Sequence, residues 1–97
     1  MGKLFEAIGT AAMLEQTAEE CAELTQACLK LARKIRKENP TPKDYEILED
    51  NFNEELADVI ICCSELEDSS FYNKDIIDKY INEKSNRIEL RIKEIYE

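Results

Sequence analysis

The sequence has no histidine and no tryptophan, and only two glycines and two prolines among its 97 residues. So few glycines and prolines cannot supply the turns of a β-sandwich or barrel, or the glycine-rich phosphate loop of an α/β fold. The lack of histidine excludes Ser-His-Asp and Cys-His catalysis, histidine-ligated zinc and the Glu-x-x-His sites of di-iron bundles. These absences leave a small helical protein as the expectation.

The charge balance is strongly acidic, with 22 Asp and Glu against 13 Lys and Arg and a net charge of −9. This balance argues against a basic face for nucleic acid and against a cationic membrane-surface helix. No stretch reaches transmembrane length, and the start lacks the apolar run of a signal peptide. We therefore expect one domain over residues 1–97, located in the cytoplasm, with neither nucleic acid nor membrane as a partner.

The four cysteines are not spaced as metal ligands. Cys21 and Cys28 lie seven residues apart, and Cys62 and Cys63 are adjacent within an apolar run. A zinc site would need close pairs at C-x-x-C spacing. We expect small buried thiols in a reducing compartment.

Two breaks divide the chain into helical stretches. The segment 38–42 holds Thr41, a possible N-cap, followed by Pro42 at a first helical position. The segment 68–73 ends with Asn73, the next candidate N-cap. Apolar residues recur at three- and four-residue steps between the breaks, as in helices. The predicted helices cover residues 10–37, 42–67 and 74–96, after a short helical turn over 3–8.

Gly9 is the expected break between the short N-terminal helix and the first long one. Short connections make neighbouring helices antiparallel. The predicted fold is therefore all-α, an antiparallel up-down bundle of three long helices plus the short N-terminal one. A chain of this length builds only a small core, so we expect oligomerisation to complete the bundle.

Acidic residues occupy positions of the first two helices that are not plainly solvent-facing. Glu20 and Glu23 are three residues apart and share one helix face, and Glu55 and Asp58 repeat this spacing. Relative to Pro40, Glu20 lies 20 residues before and Asp58 lies 18 after. The corresponding offsets of Glu23 and Glu55 are 17 and 15 residues. An antiparallel pair therefore brings all four carboxylates together across a gap of roughly 8–10 Å.

Four carboxylates at this range repel one another unless a cation or protons neutralise them. Oxygen ligands without histidine or thiolate select Mg²⁺, Mn²⁺ or Ca²⁺ over zinc and copper. The sequence therefore predicts a divalent metal site. The alternative is that these acids form an ordinary solvated face of a highly charged chain.

Two basic residues of the third helix are predicted to lie level with the acids. Relative to Phe71, Asp58 and Lys84 are each 13 residues away, and Glu55 and Arg87 are each 16 residues away. Lys84 also falls within an apolar stripe, where an ammonium group needs a partner. Sites that catalyse phosphoryl chemistry commonly combine a metal ion with basic side chains that bind the phosphates. Alternatively, both cations form salt bridges with the acids inside the bundle.

The motifs resemble those of the MazG-like all-α nucleoside triphosphate pyrophosphohydrolases. The resemblance lies in Glu19-Glu20-x-x-Glu23-Leu24, then Glu54-Glu55-Leu56-Ala57-Asp58-Val59, and later Lys84-Ser85-Asn86-Arg87. It spans about residues 10–90, which is nearly the whole chain.

This resemblance implies Mg²⁺-dependent hydrolysis of an NTP or dNTP to its monophosphate and pyrophosphate, with Mn²⁺ as a possible substitute. It implies contacts of Lys84 and Arg87 with the phosphates. Members of the family assemble as dimers or tetramers, so a homodimer or homotetramer is expected. The implied metal ligands are Glu20, Glu23, Glu55 and Asp58.

One position departs from the family pattern. Many relatives carry a basic residue one turn before the first motif, where this chain has Gln16. Gln16 can hydrogen-bond a phosphate without adding charge, and Lys30, on the face of Glu23, is a candidate to compensate. Glu19 or one of the ligand carboxylates would accept the proton of the attacking water.

Two other functions stay open. Phosphoribosyl-ATP pyrophosphohydrolases are short relatives with the same acid pairs, but they usually carry a histidine soon after the second motif. A non-catalytic helical dimerisation module would explain the helices and their apolar stripes. It would leave the acidic cluster and Lys84 without a purpose.

Overall fold

A computed structural model describes residues 2–37 and 43–96 of the chain. These residues form three helices, α1 (Lys3–Arg36), α2 (Tyr45–Leu66) and α3 (Lys74–Tyr96), and the described ranges contain no strand. The prediction of an all-α chain with three long helices is confirmed.

Helix α1 is broken at Gly9, where the backbone has φ 84° and ψ 174°. This conformation is open to glycine and strained for any other residue. The break separates a short segment, 3–8, from the long part of α1, as the sequence predicts. The backbone N–H of Phe5 donates a hydrogen bond to Glu65 Oε2 at 3.3 Å, which ties the short segment to the end of α2.

The helix boundaries follow local capping. Lys37 adopts the left-handed conformation after α1, and its N–H donates to the carbonyls of Arg33 and Lys34. Asn73 caps α3 as predicted, since its Oδ1 accepts a hydrogen bond from the N–H of Ile76 at 3.0 Å. Helix α2 begins at Tyr45, preceded by extended Asp44, and not at residue 42 as expected.

The predicted capping of α2 by Thr41 and Pro42 lies outside the described residues. Lys43 and Asp44 are described and are not helical, so the start of α2 falls three residues later than the proline signal suggests.

Helices α1 and α2 pack against each other and form the core of the chain. Four hydrophobic side chains are almost completely buried: Met13, Ala27, Leu48 and Cys62. The N–H of Phe5, near the start of α1, donates to Glu65, near the C-terminal end of α2, and Glu20 and Glu23 of α1 meet Glu55 and Asp58 of α2. Early residues of α1 thus lie beside late residues of α2, which makes the pair antiparallel.

Helix α3 does not pack against α1 or α2 within the described part of the chain. All its residues are exposed except Asp78, which is half-buried. Within residues 2–37 and 43–96, α1 and α2 form an antiparallel pair and α3 does not complete the expected three-helix bundle. A short connection alone does not fold α3 back onto α2. Large apolar side chains of α1 and α2, such as Leu29, Ile47 and Ile60, stay exposed as do those of α3.

The connection between α2 and α3 is a tight turn bonded to the end of α2. The hydroxyl and the N–H of Ser69 both donate to the Leu66 carbonyl, at 2.7 and 3.0 Å. Ser69 is buried. The predicted break over 68–73 is confirmed.

Two further predictions concern membrane-spanning helices and the burial of the cysteines. None of the described helices is long and apolar enough to cross a membrane. All four cysteines are free thiols, but only Cys62 is buried. The prediction of buried thiols is therefore wrong for Cys21, Cys28 and Cys63, because they lie on helix faces that no other part of the described chain covers.

Candidate metal centre

Four carboxylates from α1 and α2 converge at the helix interface. One oxygen from each of Glu20, Glu23, Glu55 and Asp58 lies within 4.8 Å of the others. The predicted meeting of these groups is confirmed, and a cluster of this kind can hold a metal ion. That it does so stays a prediction.

The cluster sits within the packed interface and not at the end of a helix. On α1 the acids lie between the buried residues Met13 and Ala27, and on α2 they lie between the buried residues Leu48 and Cys62. Buried apolar groups on both sides limit the access of water and restrict the motion of the helix backbones. Three of the acids are half-buried, and Glu23 is exposed.

Two carboxylate oxygens of the cluster have no hydrogen-bond partner although they are buried. They are Oε2 of Glu20 and Oε2 of Glu55, one on each helix. Buried polar atoms are nearly always satisfied, and an ionised oxygen left without a partner is especially costly. A cation between the helices would satisfy both oxygens at once.

Proximity of the acids raises the pKa of Glu23. The main cause is a hydrogen bond with Glu55, which a carboxyl group can donate only when it is protonated. The negative charge of Glu55 and desolvation act in the same direction. Without a metal ion, the cluster therefore favours the protonated form of Glu23 more than water does.

The pKa of Glu20 is also raised, chiefly by desolvation and then by the charges of Glu23 and Asp58. A hydrogen bond from Gln16 opposes this shift. The Nε2 atom of Gln16 donates to Glu20 Oε1 at 2.8 Å. This contact was not predicted from the sequence, where Gln16 was expected only to bind a phosphate, although the four-residue spacing on one helix face could have indicated it.

Cys62 is buried on α2, four residues after Asp58, and its thiol is a poor metal ligand. Burial raises the pKa of its thiol, and the charges of Glu20 and Asp58 add to the shift. A thiol binds metals as the thiolate, so this environment disfavours coordination. The donor set is therefore all oxygen.

The chemistry of the donors fits a hard divalent cation. Carboxylate oxygens suit Mg²⁺, Mn²⁺ and Ca²⁺, while zinc and copper sites usually include histidine or cysteine. Four acids supply more negative charge than one divalent ion neutralises, so the cluster can accept one or two ions. The two buried oxygens without partners among the described residues are available to a cation.

The structure does not bring the other predicted site residues to the cluster. Glu19 and Lys30 are exposed on α1. Lys84 and Arg87 are exposed on α3, which contacts neither α1 nor α2 among the described residues. The expectation that both cations lie level with the acids in the same chain is wrong, as is the alternative of intrachain salt bridges, because α3 does not fold back.

Lys84 lies instead on an open, largely apolar face of α3. This face is formed by Ile77, Tyr80, Ile81, Lys84, Ser85 and Ile88. The placement of Lys84 among isoleucines agrees with the predicted stripe.

Comparisons of the chain with protein-family profiles, curated proteins and solved structures give no match.

Proposed function

We propose that this chain is a Mg²⁺-dependent nucleoside triphosphate pyrophosphohydrolase of the MazG-like type. It would convert an NTP or dNTP and water to the monophosphate and pyrophosphate. The observation that carries the proposal is the cluster of four carboxylates, with two buried oxygens that lack partners. The order of the motifs along the chain supports the family resemblance.

The acids have distinct roles in this proposal. Glu20, Glu23, Glu55 and Asp58 hold the Mg²⁺, with Mn²⁺ as a substitute. The bound ion supplies charge neutralisation on the triphosphate and a lowered pKa for the attacking water. Glu19 lies next to the cluster on α1 and is exposed, so it is our candidate to accept the proton of that water.

Phosphate binding requires cations, and in this proposal a second copy of the chain supplies them. No other described part of the chain covers the apolar face of α3, where Ile77 is 38% exposed and Ile81 and Ile88 are each 55% exposed. Lys84 lies on the same face. If α3 of one copy packs across α1 and α2 of another, Lys84 and Arg87 reach the acidic cluster with complementary charge. A homodimer or homotetramer would thus complete both the bundle and the site.

Lys30 is an additional candidate for binding the substrate phosphates. Lys30 lies two helical turns beyond Glu23 and is exposed. It offers a positive charge on the face of α1 that carries Glu23. Many relatives instead have a basic residue one turn before the first motif, where this chain has Gln16. We place the activity in the cytoplasm, where nucleotides are available and free thiols persist.

A non-catalytic dimerisation module is the second candidate, and the exposed apolar face of α3 favours it. Such a module would need the face but not the acids. Metal dependence therefore separates the two functions.

The test is release of pyrophosphate from a panel of canonical and modified dNTPs, NTPs and phosphoribosyl-ATP, with Mg²⁺ present. We expect turnover of at least one nucleoside triphosphate by the unaltered chain. Glu23→Gln and Asp58→Asn should each abolish it. The matched control is Glu54→Gln, which removes one charge from an exposed residue next to the cluster. Full activity in either cluster variant would refute the ligand assignment.

A further inference from the structure

The two oxygens of the Glu20 carboxylate have different surroundings. Oε1 accepts a hydrogen bond from Gln16 Nε2 at 2.8 Å. Oε2 is buried and has no hydrogen-bond partner. One oxygen is therefore anchored to α1 through a side chain one turn earlier, and the other is left free within the cluster.

This anchoring restricts a flexible side chain. A glutamate has three side-chain torsions, and ordering it as a metal ligand reduces its conformational entropy. A hydrogen bond from Gln16 to Oε1 imposes part of that order before any ion arrives. Groups that hold a ligand carboxylate in this way commonly change metal affinity substantially although they do not touch the ion.

The neutrality of the donor matters as much as its position. An amide donates a hydrogen bond without a formal charge, so Glu20 keeps its full negative charge for a cation. A lysine or arginine at position 16 would also donate, but its charge would oppose a divalent ion close by.

We propose that Gln16 is a positioning residue for the metal centre. It holds the Glu20 carboxylate by Oε1 so that Oε2 serves as a single-oxygen ligand, and it thereby raises the affinity for a divalent cation. The inference rests on the metal binding of the proposed function but not on hydrolysis. It assigns to Gln16 a role at the ion and not at the phosphates.

The test measures metal affinity directly, without nucleotide. Mn²⁺ binding is followed by the loss of the electron paramagnetic resonance signal of the free aqueous ion, and Mg²⁺ binding by calorimetry. The variant Gln16→Met keeps an unbranched side chain and removes the donor. Gln26→Met makes the same change at an exposed glutamine of α1 and is the matched control.

We expect Gln16→Met to raise the dissociation constant for Mn²⁺ roughly 10–100-fold, with little change in the metal-free melting temperature. Gln26→Met should leave both unchanged. Equal affinity in the two variants would overturn the positioning role while leaving the metal site intact. A loss of affinity that only parallels a loss of metal-free stability would also overturn it.

A second comparison separates positioning from any general effect on α1. In a Glu20→Gln background the partner of Gln16 is no longer a charged ligand, so Gln16→Met should weaken Mn²⁺ binding little further. Additive losses would contradict the inference. If the unaltered chain binds neither Mn²⁺ nor Mg²⁺, the proposed function fails first and this inference fails with it.

Discussion

Glu23 on α1 and Glu55 on α2 bring carboxylate oxygens within 4.8 Å of each other across the helix interface. This neighbour raises the pKa of Glu23, because a proton on Glu23 permits a hydrogen bond to Glu55 and removes the repulsion between two charged carboxylates. Without a metal ion, the cluster therefore favours protonation of Glu23. A divalent cation and this proton compete for the same oxygens, and several of the expectations below follow from that competition.

Magnesium should stabilise the folded chain. A ligand that binds only the folded state adds about 2.7 kcal/mol when its concentration is 100 times the dissociation constant. We expect millimolar Mg²⁺ to raise the melting temperature of the unaltered chain and of Glu54→Gln, measured by circular dichroism. Asp58→Asn should respond much less. An equal response in all three proteins would indicate nonspecific screening of negative charge.

Neutralising one acid of the cluster should stabilise the metal-free fold. Glu55→Gln removes a charge that raises the pKa of Glu23, and its amide can donate the hydrogen bond that now requires a proton. We expect the metal-free melting temperature to rise by roughly 2–5 °C. Glu46→Gln changes an exposed acid in the first turn of α2. It should not raise the melting temperature, because an acid at that end of the helix is stabilising. Destabilisation by Glu55→Gln would mean that the acids are satisfied in another way.

Stability of the metal-free chain should increase on mild acidification. The pKa values of Glu20 and Glu23 are raised above the ordinary value of 4.5, so the folded chain binds more protons than the unfolded chain above that pH. The stabilisation from these extra protons is present at low pH and is lost as pH rises through the raised pKa values of Glu20 and Glu23. The gain in melting temperature from Mg²⁺ should instead increase from pH 5 to pH 8. The Glu23→Gln variant should show a flatter metal-free profile; an unchanged profile would contradict this origin.

Self-association should depend on the apolar face of α3. Ile81→Asp places a charge on that face and should weaken association by roughly tenfold or more, about 1.4 kcal/mol, as measured by sedimentation equilibrium. Asn86→Asp adds the same charge on the opposite side of α3 and should have little effect. A chain that is monomeric without substitution, at concentrations where it is active, would show that the site does not need a second copy.

Gly9→Ala should destabilise the chain through backbone strain alone. A methyl group added at Gly9 meets no atom within 4 Å, but φ is 84° there. Holding a non-glycine residue in such a conformation costs about 1–3 kcal/mol, measurable by urea denaturation. Glu15→Ala, at an exposed position on α1, should change the free energy of unfolding by less than about 0.5 kcal/mol. An equally small effect of Gly9→Ala would indicate that the segment 3–8 readily straightens onto α1.

The convergence of the four acids could be predicted because it depends on short-range regularities. The helical rise and the three-residue spacing place Glu20 and Glu23 on one face, and the connection near residue 40 sets their height against Glu55 and Asp58. An error of a few residues in a predicted helix end, such as the start of α2 at Tyr45, changes the alignment of the two acidic pairs little. The break at Gly9 and the cap at Asn73 were predictable for the same reason, since each depends on a single residue's backbone chemistry.

The position of α3 could not be predicted in this way. Its own pattern identifies a helix with an apolar face, and that much is confirmed. Which surface covers that face depends on the shapes of the other helices, and a second chain can supply it as well as the first. The same reason accounts for the exposure of Cys21, Cys28 and Cys63, whose burial was expected from residue type alone.

Composition and periodicity by themselves determined that this chain is helical, where its helices break and that two acidic pairs face one another. These features arise from local backbone preferences and from repeats along a single helix. The tertiary structure alone decided that two oxygens of the cluster are buried without partners among the described residues, and that α3 packs against neither α1 nor α2 within them. Those outcomes depend on side-chain rotamers and on packing between elements distant in the chain, which no local pattern specifies.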